Sequence, residues 1–199
     1  MDSAILKFFN KLFYKSDFVY IVIFGFFTNM VEIKKAGQAD ISLINKLGNI
    51  AFTDTYAEIL TPDQIAYMLD WMYSEKSLNE QLEQNHVYYI GYLDGVPFGY
   101  LSVQRENQTT FHLQKIYLLK EFQKKGLGEL LFQKAISHVE EMCPQPCRMI
   151  LNVNRNNSAK GFYEKMGMQK IDEGDFPIGN GYYMNDYIMG IGINGGFAK

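Results

Sequence analysis

Cysteine, histidine, basic charge and long apolar runs are all scarce in this chain, and each shortage excludes something. Two cysteines occur, Cys143 and Cys147 in Cys-Pro-Gln-Pro-Cys, together with three histidines in the whole chain. A structural zinc site needs about four ligands at close spacing, and no histidine pair lies near the two thiols in sequence, so no metal is implied. The thiols read as two loop cysteines in a reducing cytoplasm, with disulfide or redox use as the alternative. Lysine and arginine number 19 against 22 acidic residues, a net charge of −3. That balance argues against broad nucleic-acid binding, which needs a basic face to neutralise phosphates. The apolar run from Phe18 to Phe27 has ten residues, against the roughly 20 a helix needs to span a bilayer. What remains is the profile of a globular protein, 199 residues long, 47% hydrophobic and 21% charged. That length suffices for one well-buried domain and is short for two.

Residues 1–29 differ from the rest. Lys7, Lys11 and Lys15 precede the apolar run, as in the basic start of a signal peptide, but Phe27-Thr28-Asn29 is a poor cleavage site. Three readings stay open: a weak membrane or interfacial anchor, a signal-like segment, or leader residues upstream of a start at Met30. Membrane contact is expected only if residues 1–29 are translated. The chain therefore divides into an apolar extension, 1–29, and a domain, 30–199.

The domain's first strand is expected at Val31-Glu32-Ile33. After a turn at Ala36-Gly37-Gln38-Ala39-Asp40, with Asp40 as cap, Ile41, Leu43, Ile44, Leu47, Ile50 and Ala51 keep helical spacing. Thr61-Pro62-Asp63 opens a second helix with Thr61 as cap and Pro62 at its first position. A third is expected near Ser77 to Gln84. Val87–Leu93 and Val96–Gln104 then form a hairpin about Asp94-Gly95. A second hairpin through Glu106-Asn107-Gln108 leads to an alternating run, Phe111 to Leu119. Further on, Arg148–Val153 reads as a strand, Asn157–Lys165 as a helix, Met168–Asp172 as a strand and Tyr182–Ile193 as the last strand.

Between these elements lies Gln123-Lys124-Lys125-Gly126-Leu127-Gly128. Leu127, Leu131, Ala135, Val139 and Met142 recur at helical spacing after it, so a helix begins at the glycines. A helix start offers unpaired N–H groups and partial positive charge. Gly126 and Gly128 permit positive φ and remove side chains where a ligand must approach the backbone. Lys124 and Lys125 add cationic charge. The stretch reads as a pyrophosphate cradle. It is not a nucleoside-triphosphate loop, because Glu129 and Leu130 follow where Lys and Ser/Thr would stand. Nor is it a dinucleotide loop, because Leu131 replaces the third glycine. A plain helix-start turn with solvated lysines is the alternative.

Downstream, Asn156, Ala159, Phe162, Tyr163 and Gly167 stand in the pattern Asn-x-x-Ala-x-x-Phe-Tyr-x-x-x-Gly. With the loop, whose form is Gln/Arg-x-x-Gly-x-Gly/Ala, this segment resembles the GNAT superfamily of N-acetyltransferases over residues 30–195. Met168 stands where the family usually has Phe. The resemblance implies an α/β (α+β) fold, a single domain whose mixed, mostly antiparallel sheet of about seven strands has helices on both faces. It implies acetyl-CoA as co-substrate, with its pyrophosphate on Gln123 through Glu129 and its pantetheine along the backbone of Ile116, Tyr117 and Leu118. Asn156 matches a position that often hydrogen-bonds pantetheine; capping the next helix is the alternative.

Acetyl transfer from a thioester to an amine needs a base for the amine and an acid for the leaving thiolate. Tyr163 matches the family tyrosine that commonly acts as the acid, or is an aromatic packed under the cofactor. His112 lies roughly where many relatives carry a carboxylate, on the strand face of Gln114 and Ile116, and is the candidate base. His86 and His138 fall outside any motif. Between residues 40 and 84, Asp40, Asp54, Glu58, Asp63, Asp70, Glu75, Glu80 and Glu83 face only Lys46 and Lys76. Such a wall attracts a cationic amine, unless these are solvated helix faces. Phe52-Thr53-Asp54-Thr55-Tyr56 resembles bacterial spermidine/spermine N-acetyltransferase-like members, which favours a polyamine. Tyr56, Glu58, Trp71 and Tyr73 are the acceptor candidates. The rival readings are a peptide or aminoglycoside acceptor, or a module that binds acetyl-CoA without turnover. A homodimer is compatible with the resemblance.

Overall fold

A computed structural model describes residues 19–24 and 27–197, with side chains from Met30 onward. Eight strands form one sheet in the order β1-β2-β3-β4-β5-β6-β8-β7. They are β1 (Val19–Phe24), β2 (Phe27–Ala36), β3 (Val87–Leu93), β4 (Val96–Arg105), β5 (Thr110–Leu118), β6 (Cys147–Asn154), β7 (Gln169–Gly179) and β8 (Tyr182–Ile193). Every neighbouring pair is antiparallel except β5 and β6, which are parallel. Parallel neighbours need a crossover, and α4 (Leu127–Met142) supplies it. The strand expected at Val31 is the middle of β2. Part of the apolar run before it, Val19–Phe24, pairs with β2 as an edge strand. The expected roles of Lys7, Lys11 and Lys15 lie outside the described residues.

Side chains alternate across each strand, so the two faces can differ in character. One face packs on α4 and on the short α5 (Lys160–Lys165). Its core holds Phe111, Leu113, Leu131, Phe132, Ala135 and Leu151, all at most 3% exposed. The other face is covered by α1 (Ile41–Tyr56), α2 (Pro62–Tyr73) and α3 (Glu75–Glu83). There Ile44, Phe52, Leu78, Tyr88, Ile90 and Tyr100 are at most 1% exposed. Burying each such side chain contributes roughly 1.5–3 kcal/mol. The Thr61 hydroxyl caps α2 by accepting from Gln64 N at 3.3 Å, as its sequence suggests. Asp40 caps differently. Its carboxylate accepts from Gly37 N at 2.9 Å and closes a single turn before α1.

Of the two expected loop cysteines, Cys143 lies just past the end of α4 and Cys147 is the first residue of β6; both are free, buried thiols. Burial and the neighbouring Cys143 push Cys147 up to about 11, so it is a poor nucleophile at neutral pH. Among the described residues no helix is long and apolar enough to cross a membrane.

Candidate active site

The one parallel pair of strands opens partway along its length. β5 and β6 pair at Thr110–Arg148, Phe111–Met149 and His112–Ile150, and no further. Each strand then continues against its other neighbour, β5 on β4 to Leu118 and β6 on β8 to Asn154. The edge of β5 from Leu113 to Leu118 therefore offers backbone groups to an extended ligand, in the way an added strand would take them. Ile116 and Leu118 turn their side chains to the α4 core, so anything they hold there is held by backbone.

The glycine loop lies just beyond the open end of β5. Gly126 has φ 79°, which only glycine adopts without strain, and Lys124 shares this left-handed backbone at 61°. Among the described residues, no backbone or side-chain acceptor engages the N–H groups of Lys124, Lys125, Gly126, Leu127 or Gly128. Five successive free donors at the start of a helix suit a diphosphate. Lys124 and Lys125 are exposed beside them, Lys125 lying over the Phe122 ring at 5.4 Å. Gln123 reaches back to Leu118 O at 3.5 Å, and Glu129 starts the helix with its N–H on Gly126 O at 3.1 Å. A Cβ on Gly128 would meet Leu118 and Phe162 at 3.6 Å, an ordinary contact. Gly126 is thus the more demanding of the two glycines.

Opposite the loop, the end of β6 turns on its asparagines. Asn154 Oδ1 accepts from Asn156 N at 3.0 Å, and Asn157 Oδ1 accepts from Ala159 N at 2.9 Å. Asn156 therefore does not cap the next helix, whose N-cap is Ala159 with no side-chain cap bond, and the Asn156 side chain is left exposed. Tyr163, on α5, is 8% exposed. Burial and the nearby Tyr56 hydroxyl push its phenol well above the usual range. It stays protonated throughout the neutral range.

A cavity of about 590 Å³ lies between this region and α1–α3. Its floor is β5, and the floor's composition follows from a β-bulge. Ser102 pairs with Lys115, but Val103 pairs with Leu113, so Gln114 is an extra residue. The bulge resets the alternation. His112, Gln114, Lys115 and Tyr117 all line the cavity, while Ile116 joins the opposite core. The expected sharing of one face by His112 and Ile116 is corrected on this ground.

His112 Nδ1 lies 2.7 Å from Glu106 Oε1. With that nitrogen held, Nε2 is the one available for a proton. Hydrogen bonding to His112 in turn lowers Glu106. His86 lies against Ser102 Oγ at 3.3 Å, and burial with Lys115 nearby lowers it to about 4, so it is neutral. Asp186, 5% exposed on β8, lines the cavity and accepts from Asn152 Nδ2 at 3.4 Å. Burial raises its carboxyl.

Of the acceptor candidates, Tyr56 and Trp71 line the cavity, and Trp71 is 46% exposed at its rim. Tyr73 does not. Its ring packs where Gly48 of α1 has no side chain, and its hydroxyl accepts from Tyr100 at 2.7 Å, so it is core. Glu58 sits exposed in the turn after α1, outside the cavity lining. Of the eight acidic residues in the helical region, Asp70 and Glu80 line the cavity, and the other six do not. The sequence reading missed Asp186 and Lys115. Asp186 is an acid inside the last strand, which lies between β6 and β7 rather than at the sheet's edge, and Lys115 was hidden by the bulge. Among the described residues no group of three or more His, Cys, Asp or Glu could hold a metal.

Residues 56–179, more than half of the chain, match the family model described as an acetyltransferase (GNAT) domain. The chain is 26% identical over 161 residues to an uncharacterised N-acetyltransferase in the pepI 3′ region of Lactobacillus delbrueckii subsp. lactis, covering 75% of this chain and 91% of that protein. Among solved structures, it resembles the PaiA N-acetyltransferase of Thermoplasma acidophilum in complex with coenzyme A, at 23% identity and TM-score 0.66, covering 80% of this chain and 97% of that one. The ribosomal-protein-S18-alanine N-acetyltransferase of Escherichia coli is similar at 18% identity and TM-score 0.63, with 85% and 97% covered.

Proposed function

The chain belongs to the GNAT acetyltransferase family, and on that premise we propose that it transfers the acetyl group of acetyl-CoA to a primary amine held in the cavity between β5 and α1–α3. The observation that carries this reading is the opening between β5 and β6, with free loop donors at one side and the cavity floor at the other. Lys124 to Gly128 and the exposed Lys124 and Lys125 suit the donor's diphosphate, and the free β5 edge suits its amide-bearing arm. Asn156 stands at the matching end of β6.

In this reading the amine enters past Trp71 as a cation and is drawn inward by Asp186, with Asp70 and Glu80 near the mouth. It must lose a proton before it attacks. His112, oriented by Glu106, takes that proton, directly or through water. Backbone N–H groups of β5 polarise the thioester carbonyl. Tyr163, kept neutral by burial, supplies a proton to the departing thiolate. A polyamine is one member of the acceptor class. Of the eight acids of residues 40–84, only Asp70 and Glu80 line the cavity, so the acidic support for it from that region rests on those two.

The test is release of free thiol from acetyl-CoA by the purified protein across spermidine, amino acids, a lysine peptide and an aminoglycoside. Amine-dependent release is expected, falling about 100-fold in Tyr163→Phe with affinity for acetyl-CoA retained by calorimetry. Intact donor binding with no amine-dependent release would favour a binding module instead.

A further inference from the structure

We propose that the acceptor is an amine that also bears a carboxylate, and that Lys115 is the residue that holds that carboxylate inside the cavity. The amine's fate rests on the acetyltransfer reading above, whereas the anion site stands on its own geometry.

Lys115 is 7% exposed, yet it lines the cavity. Its Nζ touches one acceptor, Gln81 Oε1 at 2.5 Å, and lies over two aromatic rings, Tyr73 at 5.6 Å and Tyr88 at 5.7 Å. Among the described residues no carboxylate lies within ion-pair range of it. An ammonium carries three donors, and a buried one without a counter-charge is costly. A core position would be filled far better by Leu or Met. Gln81 is no anion, and it is already shared, accepting from Tyr88 Oη at 2.7 Å as well.

The surrounding groups do not supply the missing charge. His86 is neutral, and the one carboxylate close to His112 is taken by that ring. Glu80, which lines the cavity, is an exposed side chain 3.9 Å from Lys76 and outside ion-pair range of Lys115. Asp186 belongs to another part of the wall, beside Asn152 and Tyr56. The cavity thus offers a carboxylate at one place and an unpaired buried lysine at another. That is the complement of a molecule with an ammonium and a carboxylate, such as an amino acid or a short peptide. Burial lowers Lys115 to about 7, so a bound anion also completes its protonation.

Trp71 is the only tryptophan in the chain and lines the cavity, so its fluorescence reports acceptor binding without turnover. The full chain would be titrated with L-lysine and cadaverine, L-leucine and isoamylamine, and L-phenylalanine and phenethylamine, pairs that differ by the carboxylate. In at least one pair the amino acid is expected to bind about tenfold or more tightly, as for a hydrogen bond to a charged group. Lys115→Met should collapse that ratio towards one, and Lys115→Arg should keep part of it. Equal or absent responses within every pair, or a ratio unchanged in Lys115→Met, would overturn the proposal. Thiol release read on the same amines separates the two claims. Release without carboxylate preference overturns this one and leaves acetyltransfer standing, and preference without release does the reverse.

Discussion

The two faces of the central sheet are built from alternate residues of the same strands, yet they follow opposite rules. On β5, Phe111, Leu113, Ile116 and Leu118 go to the α4 side, and His112, Gln114, Lys115 and Tyr117 go to the α1–α3 side. The first face is a closed apolar core with Phe132 and Phe162 edge to face at 6.3 Å. The second is aromatic and polar. Tyr100 and Tyr73 are bonded at their hydroxyls and Lys115 lies above Tyr73. Both faces bury apolar side chains that hold the sheet folded. The second also contains groups whose burial opposes folding, Lys115 and Asp186 among them, and these line the cavity. The difference teaches where to look for function: where buried polarity is left unpaired.

Three substitutions would break or sharpen this contrast. The largest effect belongs to the apolar face. Phe132→Ala should lose about 3–5 kcal/mol in denaturant unfolding; a loss under 1 kcal/mol would mean the core is not there. Lys115→Met should act in the opposite sense, stabilising the protein by about 3 kcal/mol at pH 7. The sign follows from proton counts. Burial lowers Lys115 from 10.5 to about 7. Between those values the unfolded chain holds a proton that the folded chain lacks, so stability rises with pH across that window and is lowest below 7. The variant should show a flatter profile from pH 7 to 10, and an unchanged slope would refute the assignment. Smallest is Tyr73→Phe, which removes only the acceptor for Tyr100. About 1 kcal/mol of stability should be lost, with kcat/KM for the amine scarcely changed. A large loss of activity there would restore Tyr73 to the acceptor site.

Much of this architecture is legible in the sequence, for identifiable reasons. Asp94-Gly95, both at positive φ, specifies the hairpin between Leu93 and Val96 by turn chemistry alone. The loop from Gln123 to Gly128 is contiguous, so its chemistry can be read without three-dimensional knowledge. The cavity is assembled from separate elements and cannot be. The bulge at Gln114 breaks the two-residue period, so strict alternation put Ile116 with His112 and gave no reason to notice Lys115. Tyr73 and Trp71 are two residues apart on one helix, one in the core and one at the rim, and composition does not separate them. The acidic helical residues looked like a wall because sequence records charge but not direction.

The most direct test of the account is amide hydrogen exchange with and without acetyl-CoA. Protection is expected to appear together at Leu113–Leu118 and Lys124–Gly128, the free edge of β5 and the free donors of the loop, with little change in the α4-side core. Protection confined to other segments, or none at saturating acetyl-CoA, would contradict the claim that the opening between β5 and β6 is the donor site.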